Sequence, residues 1–549
     1  MATVGTFSHG DITPDNKLFS SFKTLVESAF YGNNVELVAD LKTAYELAKT
    51  APGAVVTDMP VAHTEDLALP ADAKVIVFND GKVTGRTAAA RRVIGQPGIE
   101  KTLYEGVLRD ALLQGTHKKF YRGEVVVGLD RDFMVKAHVL LPEHYETNFY
   151  SYLLNFQIAT KEWLSDYQNS KAYPENDIFL YVDPDWRHPD FPHGLALFDP
   201  EHNVAAVLGL NYFGEMKKAT LTLAWATAHR NGYVACHGGM KQYQLPDKKF
   251  TMAAFGLSGS GKSTITLAKH GDKYQVKVLH DDAFVINKKD GSTTALEPAY
   301  FDKTQDYPLT DPAVAYFITC QNVGVTLDDE GKKVIVTQDI RNGNGRTVKS
   351  RYVTPNRVDH LRSAIDAIFW IMKDDSLPPV VKLDDPTLAA VFGLTLATKR
   401  TTAENVVGNV DMDKLVIEPY ANPFRVYPLG QDFADFKDLF EQNHTACYIL
   451  NTGFYKGKKV KPADTLGSIE KIVENAAEFV PFGPLKGMSY LPVAGFDVDF
   501  DDPEYVAALR TRMQSRLDFI LEQKTAMAGY NALPEEAAEL MQKVINDLT

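Results

Sequence analysis

Apolar residues recur at spacings of three and four through residues 17–50, the period of amphipathic helices, so helices are expected to open the fold. From about residue 75 the pattern shortens. The runs KVIVFND, EVVVGL, HVLL and DIFLYVD are rich in β-branched residues and separated by turn formers, which predicts strands of a mixed sheet. Between 145 and 170, NFYSYLLNFQIATKEWL predicts another helix, and EMKKATLTLAWATAHR predicts a further one that ends at the breaker pair Asn231-Gly232. YVACH and FTMAAFGL then read as strands of a second α/β lobe, the latter running straight into a glycine-rich turn and a helix. PEYVAALRTRMQSRLDFILEQK and PEEAAELMQKVINDL close the chain as helices with Pro, Asp and Glu at their starts.

Length and composition turn this order of elements into a fold class. A chain of 549 residues is well beyond the roughly 250–300 at which a single core stops growing. The expectation is an α/β protein of two lobes: a mixed-sheet N-terminal domain over 1–232 and a phosphate-loop mononucleotide-binding domain over 233–549, with an active site in the cleft. The apolar fraction of 45% and charged fraction of 23% are those of globular enzymes. A formal charge of −13 argues against a general nucleic-acid binder, which would need a basic stripe. Cys236, Cys320 and Cys447 are odd in number and form no CxxC, which favours a reducing compartment. The start MATVGTFSHGD lacks a basic segment followed by an apolar run, and no stretch approaches the roughly 18 apolar residues of a membrane span. A cytoplasmic enzyme without membrane or nucleic-acid partners is expected, as a monomer or small homo-oligomer.

GLSGSGKS at 256–263 satisfies GxxxxGK[ST] in full, and it follows a predicted strand. Glycines let backbone N–H groups of Leu257, Ser258, Gly259, Ser260, Gly261 and the residues after them converge on phosphate oxygens. Lys262 reaches the outer phosphates, the Ser263 hydroxyl can hold Mg²⁺, and Thr264 follows on the same turn. The motif says nucleotide and no more. About twenty residues on, VKVLHDDAFVI sets Asp281 and Asp282 at the end of an apolar strand, where a cation beside phosphates would want carboxylate oxygen. Upstream, Tyr212, Lys217, Lys218 and His237 precede the second lobe. Taken singly, a lysine pair is usually a solvated face and a lone histidine usually structural.

The order of these parts resembles the ATP-dependent phosphoenolpyruvate carboxykinases. YFGEMKK, His237, LSGSGKST and LHDD look like the family's YGGEMKK, MHC, LSGTGKTT and GDD. TGR at 84–86 and SRYVTP at 350–355 resemble TGRSP and TRVSYP, and EPAYFDKT and CYILNTGFYKGKKVKPADT resemble EGGCYAKT and YLVNTGWNGTGKRISIKDT. The resemblance runs from about 84 to about 480.

It implies Mn²⁺ held by Lys218, His237 and Asp282, with Asp281 in support and Mg²⁺ on Ser263 and the nucleotide. A ligating lysine must be the neutral amine, a state that an adjacent dication and Lys217 would favour. Arg86 and Arg351 would clamp carboxylate and phosphoryl groups, Arg351 also reaching the nucleotide, and Tyr212 would face the substrate carboxylate or departing CO₂. Lys459, Val460 and Thr465 would take the base, Asp311 the ribose. Oxaloacetate and ATP would give phosphoenolpyruvate, CO₂ and ADP through an enolate. The chain departs from the pattern at Phe213, His280 and Pro298-Ala299, each replacing glycine, at TAAARR after Arg86, and at Lys459, which replaces arginine. Two other readings of the scaffold are a phosphotransferase with another donor, such as pyrophosphate, or another acceptor, and a non-catalytic nucleotide binder.

Overall fold

The computed structural model describes residue 10 and residues 20–80, 88–172, 174–257, 259–338, 344–399 and 415–548. It is a mixed α/β protein, with twelve α-helices among the described residues, none long and apolar enough to cross a membrane. Contacts divide it into two compact units. One comprises the described residues of Met1–Asn231 and Ala295–Pro355; the other comprises those of Gly232–Thr294, Asn356–Thr401 and Asp411–Thr549. The first crossing falls at the Asn231-Gly232 breaker. The second lobe is not one continuous segment, however, because 295–355 supplies three strands of a sheet in the first unit.

In the first unit an eight-stranded mixed sheet runs in the order Val35–Leu37, Phe120–Asp130, Phe133–Pro142, Ile178–Asp183, Val204–Leu208, Leu195–Asp199, Arg91–Val93, with Gln157–Ile158 beside Phe120–Asp130. The helix Phe213–Arg230 packs against strands Ile178–Asp183 and Val204–Leu208. It is buried on nearly every side, which is why its sequence has little polar face. A five-stranded sheet joins Tyr300–Lys303, Arg346–Lys349, Phe317–Gln321, Lys74–Phe78 and Val55–Pro60. Gln321, at the end of its strand, accepts from the Phe213 N–H and donates to the Asn211 carbonyl, so this sheet fixes where the helix starts.

The single helix expected between 145 and 170 is two, Glu146–Asn155 and Lys161–Gln168. Gln157 and Ile158 pair instead with Val126 and Val125, and the Thr160 hydroxyl caps the second helix by accepting from the Trp163 N–H. Helical spacing continues through this stretch, but a short ladder and a cap override it.

The second unit is built on an eight-stranded sheet in the order Gln275–His280, Gly239–Gln244, Lys249–Phe255, Ala367–Met372, Ala446–Asn451, Val380–Leu383, Met488–Tyr490, Val480–Pro481. Strands Tyr233–His237 and Ala283–Asn287 belong to a separate four-stranded sheet, in which His237 lies opposite Ala283. Two neighbouring chain segments therefore change sheets at one level, one at Gly238 and the other at Asp281-Asp282. The Gly238 N–H donates to the Asp282 carbonyl at 2.9 Å, and a Cβ on Gly238 would stand 2.9 Å from the Ala254 carbonyl oxygen, so only glycine fits. The three cysteines are buried and free.

Buried Lys349 and half-buried Asp302 form an ion pair at 2.7 Å across adjacent strands of the five-stranded sheet, and the Tyr307 hydroxyl also donates to the same Asp302 oxygen at 2.5 Å. Despite burial, the neighbouring ammonium holds Asp302 below the usual aspartate range. Its stabilising contribution is complete above about pH 4 and is lost only as pH falls through the depressed value. Lys349→Met, which leaves the carboxylate uncompensated, is expected to destabilise this unit by about 3 kcal/mol or more in denaturant unfolding. Adding Asp302→Asn should recover part of that loss, and a single variant as stable as the parent would refute the pairing.

Candidate active site

In the second unit the strand Lys249–Phe255 ends at Gly256, and the helix Lys262–Leu267 begins after a tight loop. Gly259 and Gly261 take φ of 77° and 101°, values that side chains resist. Gly256 is excluded from growth for a different reason, since a Cβ there would meet the Ser260 hydroxyl at 2.3 Å and Ile371 at 3.0 Å. Around Gly261 the space is open, with the Thr452 methyl at 4.0 Å the nearest neighbour. The Ser260 hydroxyl is buried without a hydrogen-bond partner among the described residues. A loop of open backbone, an orphaned donor and the buried Lys262 side chain fit a phosphate group. Ser263 is half-buried and Thr264 exposed on the same turn, while Ser258 lies outside the described residues.

The sheet change described above brings His237 and Asp282 together, with Nε2 of the histidine 3.0 Å from Oδ1 of the aspartate. Lys262 donates to that same oxygen at 3.3 Å. The other imidazole nitrogen, Nδ1, faces the Ala421 carbonyl, which can only accept; Nδ1 therefore carries hydrogen and Nε2 is directed at the carboxylate. Ala421 belongs to a turn in which it and Tyr420 take φ of 52° and 53°, a strained pair held in place by Tyr420, which is buried and stacked on Phe436 at 4.4 Å. A histidine tied through one nitrogen to a backbone carbonyl is a common supporting arrangement at metal sites. The 3.0 Å separation also matches two adjacent ligands of a cation bound at about 2.1 Å in octahedral geometry. These residues fit a divalent cation. Among the described residues no cluster of three or more His, Cys, Asp or Glu forms, so this pair has no third ligand of those kinds.

Asp281 is buried, and its neighbour His280 has no exposed surface. The His280 Nδ1 accepts from the Asp282 and Ala283 N–H groups at 3.0 and 3.2 Å, holding the turn that carries both aspartates. The imidazole in place of glycine is thus a structural acceptor.

Beyond the loop, the Thr452 hydroxyl donates to the Ser260 carbonyl at 2.7 Å, and Lys459 donates to the Thr452 carbonyl at 3.0 Å. Lys459 is exposed on a two-stranded hairpin with its ammonium 5.1 Å from the Phe454 ring. Val460 is buried, and Thr465 is buried in the helix Pro462–Val473. Thr452 was not singled out from sequence, although the NTG segment containing it was.

In the first unit Tyr212 and Lys217 are buried and Lys218 is half-buried at the start of the helix Phe213–Arg230. Tyr212 lies over Gly214, where a Cβ would stand 2.3 Å from the ring; this glycine has to stay. Phe213, which replaces the other, meets Phe301 edge-on at 5.1 Å inside the protein. Burial pushes the Tyr212 hydroxyl above its ordinary pKa, and Arg346 beside it pulls the other way. Arg346, which sequence reasoning missed, is buried on the strand leading to Arg351. The Lys217 ammonium is 3.0 Å from Glu297, both side chains closed to solvent, and Asn155 donates to the second carboxylate oxygen at 2.6 Å. Lys217 is therefore held in the interior by a carboxylate. Lys218 is 5.6 Å from the Trp225 ring. Arg351 is half-buried in the short turn Arg351–Val353, and the Asp311 carboxylate caps the turn Pro312–Tyr316 by accepting from the Ala313 N–H at 2.8 Å. Arg86 lies outside the described residues.

Among known proteins, "Phosphoenolpyruvate carboxykinase (ATP)" of Aeropyrum pernix is 26% identical over 288 residues, covering 50% of this chain and 57% of that protein, less than two thirds of its length. The protein of the same name from Dictyostelium discoideum is 23% identical over 438 residues, 74% of each chain. "Phosphoenolpyruvate carboxykinase (ATP) 2" of Salinibacter ruber is 20% identical over 476 residues, 80% of this chain and 84% of its own. The family model described as phosphoenolpyruvate carboxykinase matches residues 57–484, a span that contains the phosphate loop, His237, Asp282 and both lysines of the helix start. The chain belongs to the ATP-class phosphoenolpyruvate carboxykinase family.

Proposed function

We propose that this protein catalyses the reversible conversion of oxaloacetate and ATP into phosphoenolpyruvate, CO₂ and ADP. The observation that carries this reading is the shared carboxylate: Asp282 Oδ1 lies within reach of both His237 Nε2 and the phosphate-loop Lys262. A cation site and an outer-phosphate site that meet on one oxygen suit a reaction in which an enolate attacks a γ-phosphate. His237 and Asp282 would hold Mn²⁺, with Lys218 as the neutral-amine ligand that the family resemblance implies; Ser263 would hold the Mg²⁺ that accompanies the nucleotide, and Asp281 would support the turn. When bound, the cation supplies Lewis-acid stabilisation to the enolate and phosphoryl oxygens.

The chain's own residues do the remaining work by positioning. Lys262 and the loop amides hold the γ-phosphate in line, while Arg86 and Arg351 fix the carboxylates and neutralise charge on the transferring group. Tyr212, kept protonated by burial, can donate to a substrate carboxylate. Lys459, Val460 and Thr465 take the base side, with Asp311 near the ribose. No covalent intermediate is required. The hydrogen bond from Lys459 to Thr452 favours one second reading, a donor without a base, such as pyrophosphate, because that ammonium is directed at backbone. Calorimetric titration separates the two: binding of ATP supports the first, and binding of pyrophosphate without ATP supports the second.

Purified protein with Mn²⁺, ADP, bicarbonate and phosphoenolpyruvate should form oxaloacetate, detected by coupling to malate dehydrogenase. Asp282→Asn is expected to lower kcat/KM at least about a hundredfold, as loss of a charged ligand on the reacting oxygens should. Undiminished activity in that variant would sink the assignment. His280→Ala removes an acceptor from two turn amides and is expected to cost about 1–2 kcal/mol. Hydrogen exchange at Asp282 and Ala283 should rise measurably, and unchanged protection there would contradict the role given to His280.

A further inference from the structure

Lys241 stands on the strand Gly239–Gln244 with no exposed surface. Its neighbours across the sheet are Met252, on the strand that leads into the phosphate loop, and Val278, on the strand that leads to Asp281 and Asp282. An ammonium removed from water needs close compensation. Among the described residues no ion pair reaches its Nζ. Instead it donates to the Ile265 carbonyl at 2.7 Å, the Ala268 carbonyl at 3.4 Å and His270 Nε2 at 3.1 Å. His270 Nδ1 is 2.9 Å from a Glu470 oxygen, which makes Nδ1 the donor and leaves Nε2 to accept from Lys241 and from the Tyr243 hydroxyl at 3.0 Å. A neutral imidazole thus carries the influence of the Glu470 carboxylate to the buried ammonium.

Both carbonyls held by Lys241 lie at the C-terminal end of the Lys262–Leu267 helix, where a cation opposes the exposed negative dipole. That helix has six residues and is about 9 Å long, so a shift at its last turn is felt at Lys262 and Ser263. The turn that follows is strained: His270, Gly271 and Asp272 take φ of 52°, 60° and 59° in succession. The histidine's bonds to Lys241, Tyr243 and Glu470 help hold it in that conformation. Glu470 belongs to the helix Pro462–Val473, which carries Thr465 and follows directly on Lys459 and Val460.

We propose that Lys241 is a positioning residue for the phosphate loop, holding the end of the Lys262–Leu267 helix by its charge and tying it through His270 and Glu470 to the helix that carries Thr465. This rests on the nucleotide-binding reading above and names a device within it. The groups that face the cluster are Tyr243 from the same strand, His270, Lys273 and Tyr274 from the turn, and Glu470 and Glu474 from the helix. Burial lowers the Lys241 pKa to about 7, with Glu470 pulling it upward; burial also lowers that of His270 and raises that of the Tyr243 hydroxyl. The ammonium is therefore present at pH 6 and lost as pH rises through about 7.

Calorimetric titration of ADP with Mg²⁺ at pH 6, 7 and 8, alongside thermal melting, tests this in the parent, Lys241→Met and Glu470→Gln. Parent affinity should fall as pH rises. Lys241→Met should bind roughly three- to thirtyfold more weakly at pH 6, without the pH step, while its melting temperature is retained. Glu470→Gln, a change at a partly exposed residue, should move the step to lower pH, because the carboxylate that raises the lysine's pKa is gone. Should Lys241→Met fail to fold, Glu470→Gln decides: an unmoved step overturns the proposal. A parent that binds ADP and a Lys241→Met that binds it equally well overturn this inference alone. A parent that binds no nucleotide overturns the reading beneath it, and this inference with it.

Discussion

Asp282 Oδ1 faces a histidine nitrogen at 3.0 Å and the phosphate-loop lysine at 3.3 Å, and much of the second unit serves that meeting. One carboxylate oxygen set between an imidazole nitrogen and an ammonium cannot be arranged by a single loop. It needs the strand carrying His237 and the strand carrying Asp282 to leave one sheet and enter another side by side. It also needs the strand before Gly256 to end next to them. Gly238 permits the close approach, the strained Tyr420–Ala421 turn fixes the imidazole, and His280 holds the aspartates from behind. The strained Tyr420–Ala421 turn costs local stability, and buried aromatic packing around Trp370, Tyr420 and Phe436 offsets it.

Two of the residues that depart from the family pattern are placed alike. Phe213 and His280 both replace glycine, and both rings turn into the protein, one against Phe301 and the other onto backbone amides. The glycine that does persist, Gly214, is the one covered by the Tyr212 ring. Bulk was therefore added at positions where protein contacts absorb it. Lys459 is a different case, because its ammonium reaches the Thr452 carbonyl and so links its hairpin to the Gly256–Ser263 loop by way of Ser260.

The elements named from sequence stood out for simple reasons: Ile178–Asp183 is an unbroken apolar run bounded by turn formers, and the helix Phe213–Arg230 is a long segment of helix formers that stops at the Asn231-Gly232 breaker. The strand–loop–helix around Gly256–Ser263 was legible for a stronger reason: glycines at those spacings suit a turn whose backbone takes φ of 77° and 101°. Three things were not. The break at Phe156 depends on a two-residue ladder to a distant strand, a long-range pairing that local spacing cannot reveal. The return of 295–355 to the first unit depends on sheet partners far along the chain. The carboxylate that holds Lys217 in the interior is Glu297, eighty residues later, a partner that the lysine pair itself does not reveal. The backbone carbonyl of Ala421 and the hydroxyl of Thr452 have no side-chain signature that would mark them, and Arg346 gains its meaning only from standing beside Tyr212.

The central claim is that His237 and Asp282 share a cation beside the phosphate of a bound nucleotide. Crystals grown with Mn²⁺, ADP and oxalate, measured at the manganese absorption edge, test it directly. The account predicts an anomalous peak within about 2.2 Å of both His237 Nε2 and Asp282 Oδ1, next to nucleotide phosphate in the Gly256–Ser263 loop. Nucleotide bound in the loop with no anomalous peak at that pair, or a peak ligated elsewhere, would contradict it.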